Sequence, residues 1–143
     1  SGEHRFNISL LAQRLVNATK WVRRQEQTRN FQVGYFGSST GGAAALVAAA
    51  ELQEHAGAVV SRGGRPDLAG DALPKVQVPT LLIVGGNDDI VIELNEVARD
   101  QMRCEVKLEI IPGATHLFEE PGGLEQVAKL ASDWFALHLG GPH

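Results

Sequence analysis

An apolar, aromatic stretch runs directly into a serine-centred turn flanked by glycines, and the turn runs directly into a row of alanines. No other feature restricts the fold of this chain as strongly. The stretch is Phe31-Gln32-Val33-Gly34-Tyr35-Phe36, the turn Gly37-Ser38-Ser39-Thr40-Gly41, and the alanine-rich run Ala43 to Leu52. Short and apolar, the first segment reads as a buried strand. The alanine run is a strong helix former, and its small side chains let a helix lie close to a sheet. So tight a turn between strand and helix forces its central residue, Ser39, into a strained backbone conformation and lifts its hydroxyl into the open. The positions two before and two after it approach each other, so glycine is expected at both. Ser39 would also stand at a helix N-terminus, whose dipole favours negative charge and whose first N–H, that of Thr40, can face a developing oxyanion.

The rest of the chain continues the alternation. From Asn7 to Arg24, Ile8, Leu11, Leu15, Ala18 and Val22 recur at helical spacing and predict one apolar stripe. His55 and Gly57 read as the stop of the alanine helix. Ala58 to Ser61 and Thr80 to Val84 read as strands, separated by a glycine- and proline-rich loop from Arg62 to Pro74. Ile92 to Arg103 is expected to be helical. Val106, Leu108 and Ile110 alternate with Lys107 and Glu109, a strand with one wet face near a sheet edge. Pro121 opens a last helix with the predicted stripe Leu124, Val127, Leu130, Ala131, Trp134 and Leu137. Helices alternating with strands imply an α/β fold of about four mostly parallel strands with helices on both faces.

A serine hydroxyl is a weak nucleophile. It needs a base to take its proton, and the base needs a partner to orient it. Gly85-Gly86-Asn87-Asp88-Asp89 follows one predicted strand and Pro112-Gly113-Ala114-Thr115-His116 follows the next. Side chains just past the carboxyl ends of parallel strands share one sheet edge. Ser39, Asp88 and His116 are therefore candidates for nucleophile, acid and base, with Asp89 competing for the acid. A bland reading stands beside each: Ser39 or Asp88 as a helix cap, and His116 as a loop histidine. Arg62 and Arg65 leave a strand on that same edge. They are candidate anion-binding groups, or else solvated loop charges or partners of Asp67. Glu119-Glu120 before Pro121 reads as helix-start electrostatics.

At these residues the chain resembles the α/β-hydrolase superfamily, and Phe31 to Leu139 is similar to the carboxyl-terminal half of dienelactone hydrolases. Gly85-Gly86-Asn87-Asp88-Asp89-Ile90-Val91 looks like that family's acid loop and selects Asp88. Gly113-Ala114-Thr115-His116-Leu117-Phe118 looks like its histidine loop. Dienelactone hydrolase itself uses cysteine where this chain has Ser39. With its Arg62-Gly63-Gly64-Arg65-Pro66-Asp67 loop, the chain looks most like hydrolase domains fused behind phosphoribosyltransferases. The resemblance implies a serine hydrolase acting on an ester, lactone or thioester, without metal or organic cofactor and without a cap domain. The family fold holds more strands than the four read here, and a His-Gly-rich loop for a second oxyanion donor is absent. Residues 1–143 are thus expected to form a single, amino-terminally truncated domain. The bare edge of the Phe31–Phe36 strand is expected to be covered by a second copy or a missing segment. Two alternatives follow: an inactive hydrolase-like binding module, and an accessory domain of a phosphoribosyltransferase fusion.

Composition narrows the partners. With 43% apolar and 21% charged residues the chain can form a core. A net charge of −4 argues against nucleic acid or an anionic membrane. No apolar run approaches the roughly 18 residues that span a bilayer. The histidines outside the motif lack metal-ligand spacing. A lone cysteine, Cys104, forms no internal disulfide, reads as packing, and fits a cytoplasmic location.

Overall fold

A computed structural model describes residues 2–29, 32–52 and 54–139. The elements are α1 (Gly2–Arg24), β1 (Val33–Ser38), α2 (Thr40–Glu51), β2 (Ala56–Arg62), β3 (Thr80–Gly85), α3 (Asp89–Gln101), β4 (Val106–Ile111) and α4 (Gly123–Leu139). The strands form one sheet in the order β1-β2-β3-β4, every neighbouring pair parallel. Ser38, Arg62, Gly85 and Ile111 therefore end their strands on one edge of the sheet. Phe31, where the first strand was expected to begin, lies outside the described residues.

Period-two alternation sends successive strand residues to opposite faces. Tyr35 and Val59 join a core with Ile8, Val16 and the alanines of α2. Val60, Leu81 and Ile83 join a second core with Phe118, Val127, Ala131 and Trp134. The sheet is covered on one face by α1, α2 and α3 and on the other by α4. Between β2 and β3 lie only 3-10 turns from Pro66 to Lys75, bent at Gly70, where φ is 55°. That segment is too short for a cap domain.

Three expectations about helices need correction. On α1 the buried line is Ile8, Ala12, Val16 and Thr19, while Ala18 is exposed. The stripe is displaced because Thr19 reaches Tyr35 of β1 through a hydroxyl–hydroxyl bond, and it gives its own proton to the Leu15 carbonyl at 2.7 Å. Pattern reading rates threonine as polar and could not find this partner. On α4, Leu124 and Leu137 are 51% and 71% exposed, and burial narrows to Val127, Ala131 and Trp134. The helix begins at Gly123, after Pro121. Gly57 is no helix stop. It lies in β2, where an added Cβ would meet Leu139 Cδ2 at 2.4 Å; at Gly34 of β1 it would meet Leu139 Cδ1 at 2.6 Å. Two strand glycines thus form the groove that receives the end of α4.

Burial pushes the Tyr35 phenol above its ordinary value of 10.0, against a smaller opposing pull from its bond to Thr19. A raised folded-state value keeps this contribution intact below the unfolded value and removes it as pH rises through the folded one. Urea midpoints measured upward from pH 10 should therefore fall more steeply for the wild type than for Tyr35→Phe. The variant itself should lose about 1 kcal/mol at neutral pH. Parallel alkaline curves for the two proteins would contradict this.

Candidate active site

Ser39 stands alone between β1 and α2 with φ 54° and ψ −125°. A non-glycine residue in this region carries about 1–3 kcal/mol of strain. The strain is held by main-chain bonds on both sides. The Ser39 N–H donates to the Arg62 carbonyl at 3.3 Å. Its own carbonyl accepts from Gly42 N–H at 3.1 Å and from Arg65 N–H at 3.3 Å. The expected symmetry of the flanking glycines does not hold. A Cβ on Gly37 would lie 2.1 Å from the Gly41 carbonyl oxygen, whereas one on Gly41 would meet nothing within 4 Å. Only the glycine before the serine is required by close approach.

Although Ser39 sits at the N-cap of α2, its side chain makes no capping bond. Its Oγ lies instead 3.1 Å from His116 Nε2. Asp88 occupies the N-cap of α3 and likewise caps nothing. Its Oδ2 lies 3.3 Å from His116 Nδ1, at an ion-pair distance. Nδ1 has no hydrogen-bond partner among the described residues. Catalytic pairs of this kind tighten when a substrate is bound. Asp88, rather than Asp89, is the carboxylate beside the histidine. The site is open: 41% of the His116 side chain is exposed. Thr40 begins α2, so its N–H has no acceptor within the helix.

The histidine loop is built from both its ends. Asn87 N–H donates to the Ala114 carbonyl at 3.0 Å, and Asn87 Nδ2 to the Gly113 carbonyl at 3.1 Å. These bonds tie the acid loop to the histidine loop. Glu120 accepts from the Thr115 N–H at 2.6 Å and from its hydroxyl at 3.0 Å. Donation from the Thr115 backbone holds the Glu120 carboxyl below the ordinary carboxylate range. Glu120 clasps the residue beside His116, a role that helix-start electrostatics did not anticipate. A carboxylate five residues after a threonine carries no recognisable signal in the sequence.

The two arginines part company. Arg65 is held by Asp67 in a two-pronged pair of 3.0 and 2.9 Å, which raises the arginine's pKa. Arg62 lies with its guanidinium carbon 5.7 Å from the Phe118 ring centroid, and its buried Nε has no hydrogen-bond partner among the described residues. Among those residues, too, no group of histidine, cysteine, aspartate and glutamate could hold a metal ion. Among the described residues no helix is long and apolar enough to cross a membrane.

The fold recurs in solved proteins. The crystal structure of a dienelactone hydrolase from Anabaena variabilis superposes with a TM-score of 0.92 at 61% identity, over 94% of this chain and 62% of that one. The esterase domain of a Rhodothermus marinus protein shares the fold alone, with a TM-score of 0.75 at 20% identity, over 90% of this chain and 70% of that one. Proteins from two Mycobacterium tuberculosis strains, provisionally named phosphoribosyl transferases, are 61% identical over 137 residues. That match covers 96% of this chain but 31% of theirs, as expected for a hydrolase domain within a longer fusion. The profile of the Dienelactone hydrolase family spans residues 4–137. Strand order, the serine turn and this match together place the chain in the dienelactone hydrolase family, with the α/β-hydrolase fold.

Proposed function

We propose that the chain is a serine hydrolase of esters, lactones or thioesters, with Ser39 as nucleophile, His116 as general base and Asp88 as the group that orients the imidazole. The 3.1 Å contact between Ser39 Oγ and His116 Nε2 carries this reading. As Ser39 Oγ bonds to the acyl carbon, His116 takes its proton and passes it to the leaving oxygen or sulfur. Water then attacks the acyl-serine, giving its proton to His116, and the acid leaves as Ser39 regains its hydrogen. The Thr40 N–H, at the positive end of α2, supports the oxyanion. Of the two loop arginines, Arg62 forms no ion pair among the described residues and is the candidate to meet an anionic substituent, since Arg65 is engaged by Asp67. No metal or organic cofactor is required. A fluorophosphonate probe tests the reading. Stoichiometric labelling of Ser39 supports it, and folded protein that resists the probe points instead to a hydrolase-like binding module or an accessory domain of a fusion.

The outer edge of β1 supports a partner. Among the described residues that edge is unpaired and Phe36 is 49% exposed. On α1, Phe6 and Trp21 are 68% and 58% exposed. A bare strand edge beside exposed aromatic side chains is a pairing template. A second copy or a segment beyond these residues covers it and brings the second oxyanion donor. If a second copy is the cover, sedimentation of the 143-residue chain should show concentration-dependent association; a stable monomer at every concentration excludes that copy and leaves the segment beyond these residues. The place of action is the cytoplasm, which the free thiol of Cys104 supports. Native protein recovered outside the cell would overturn that assignment.

A further inference from the structure

Asn95 is fully buried on α3, yet asparagine there serves no apolar core. Its Nδ2 donates to the Val91 carbonyl at 2.7 Å and to the Gly64 carbonyl at 3.2 Å. Both amide hydrogens are used on two carbonyls, which fixes the orientation of the side chain. Val91 belongs to the first turns of α3, whose start carries Asp88. The Asp88 carbonyl itself accepts from Ile92 N–H at 2.9 Å. Gly64 belongs to the loop Arg62–Arg65. This loop holds Ser39 from both sides, through the Arg62 carbonyl and the Arg65 N–H. It also passes close to the histidine: a Cβ on Gly63 would lie 3.0 Å from the His116 carbonyl and 3.4 Å from Nδ1. Gly63 is anchored below by donation to the Ile83 carbonyl at 2.7 Å.

The loop thus touches the nucleophile and the base. Among the described residues, the Asn95 side chain hydrogen-bonds to both this loop and the helix of the acid. We infer that Asn95 is a positioning residue, which fixes the Asp88 helix relative to the loop that clasps Ser39 and abuts His116. This rests on the proposed roles of the three residues. Spacing among reacting groups is set to fractions of an ångström, so a loosened tie should slow reaction without altering the reacting groups themselves. A buried amide that supplied stability alone would not affect the reactivity of molecules that remain folded.

The test compares Asn95→Ser with Val16→Ala, a core substitution on α1 away from the loop. A serine hydroxyl can reach the carbonyl one turn back, at Val91, but is too short for Gly64. Two quantities are read per folded molecule: the rate of fluorophosphonate labelling at Ser39, and amide hydrogen exchange at Arg65 and Asp88. In Asn95→Ser, labelling should slow at least about tenfold. Exchange at both amides should rise together, because Arg65 N–H is bonded to Ser39 and Asp88 N–H to Gly85. Val16→Ala should lower the melting temperature and change neither quantity. Unchanged exchange at Arg65 in Asn95→Ser overturns the inference. So does raised exchange with labelling at the wild-type rate. Should wild-type protein resist the probe, the hydrolase reading fails, and the exchange measurement alone decides whether Asn95 ties loop to helix.

Discussion

Replacing Ser39 by alanine is expected to abolish fluorophosphonate labelling and to lower ester hydrolysis by about four to six orders of magnitude. The size follows from chemistry that no neighbour can replace. His116 Nε2 would lose the Ser39 hydroxyl, which lies 3.1 Å away. The covalent route would then be closed, leaving what the Thr40 N–H and simple binding supply. Alanine should not disturb the fold. The Ser39 side chain makes no capping bond, and the main-chain bonds to Arg62, Gly42 and Arg65 are kept. A positive φ of 54° is no more hostile to alanine than to serine. Melting temperature and circular dichroism should therefore match the wild type while labelling disappears. Hydrolysis retained by Ser39→Ala would place the nucleophile elsewhere and end the reading.

Adding a single methyl at Gly37 is expected to destabilise the protein by about 3 kcal/mol or more, and to slow labelling of whatever remains folded. The added carbon would stand 2.1 Å from the Gly41 carbonyl oxygen and 2.3 Å from its carbon. Both are backbone atoms, fixed by the start of α2, so relief requires the turn to open. Opening the turn moves Ser39 away from His116. Gly41→Ala is the matched control, since its methyl would enter free space. Alanine on the first turn of α2 should be neutral or stabilising by roughly 0.5–1 kcal/mol. Urea denaturation of the two variants measures the contrast. Equal stability of the pair would show that the serine turn is looser than the geometry described.

How far the sequence reaches depends on whether the information is local. The serine turn was legible because strand, glycine, serine and alanine-rich helix are consecutive, so steric demands act between near neighbours. That the strands run parallel followed from the same alternation. Parallel strands then imply that Ser39, Asp88 and His116 share one edge. The family resemblance chose Asp88 over Asp89, and the Asp88 carboxylate lies 3.3 Å from His116 Nδ1. What remained hidden depends on contacts between residues far apart in the chain. Glu120 meets Thr115 only because the histidine loop folds back on itself, and Asn95 meets Gly64 across 31 positions. Thr19 replaces Ala18 on the buried face of α1 because Tyr35 awaits it on β1.

The sequence by itself determined the α/β architecture, the shared edge and the three side chains proposed to react. It left Arg62 and Arg65 equivalent, each an anion-binding candidate or a partner of Asp67, and only the fold pairs Asp67 with Arg65. Tertiary structure alone decided which glycine the turn needs, which face of each helix is buried, and which side chains hold the site in place. The physical reason is range. Periodicity and turn sterics are written between residues a few positions apart, whereas hydrogen-bond partners and close approaches are set by which elements the sheet places side by side.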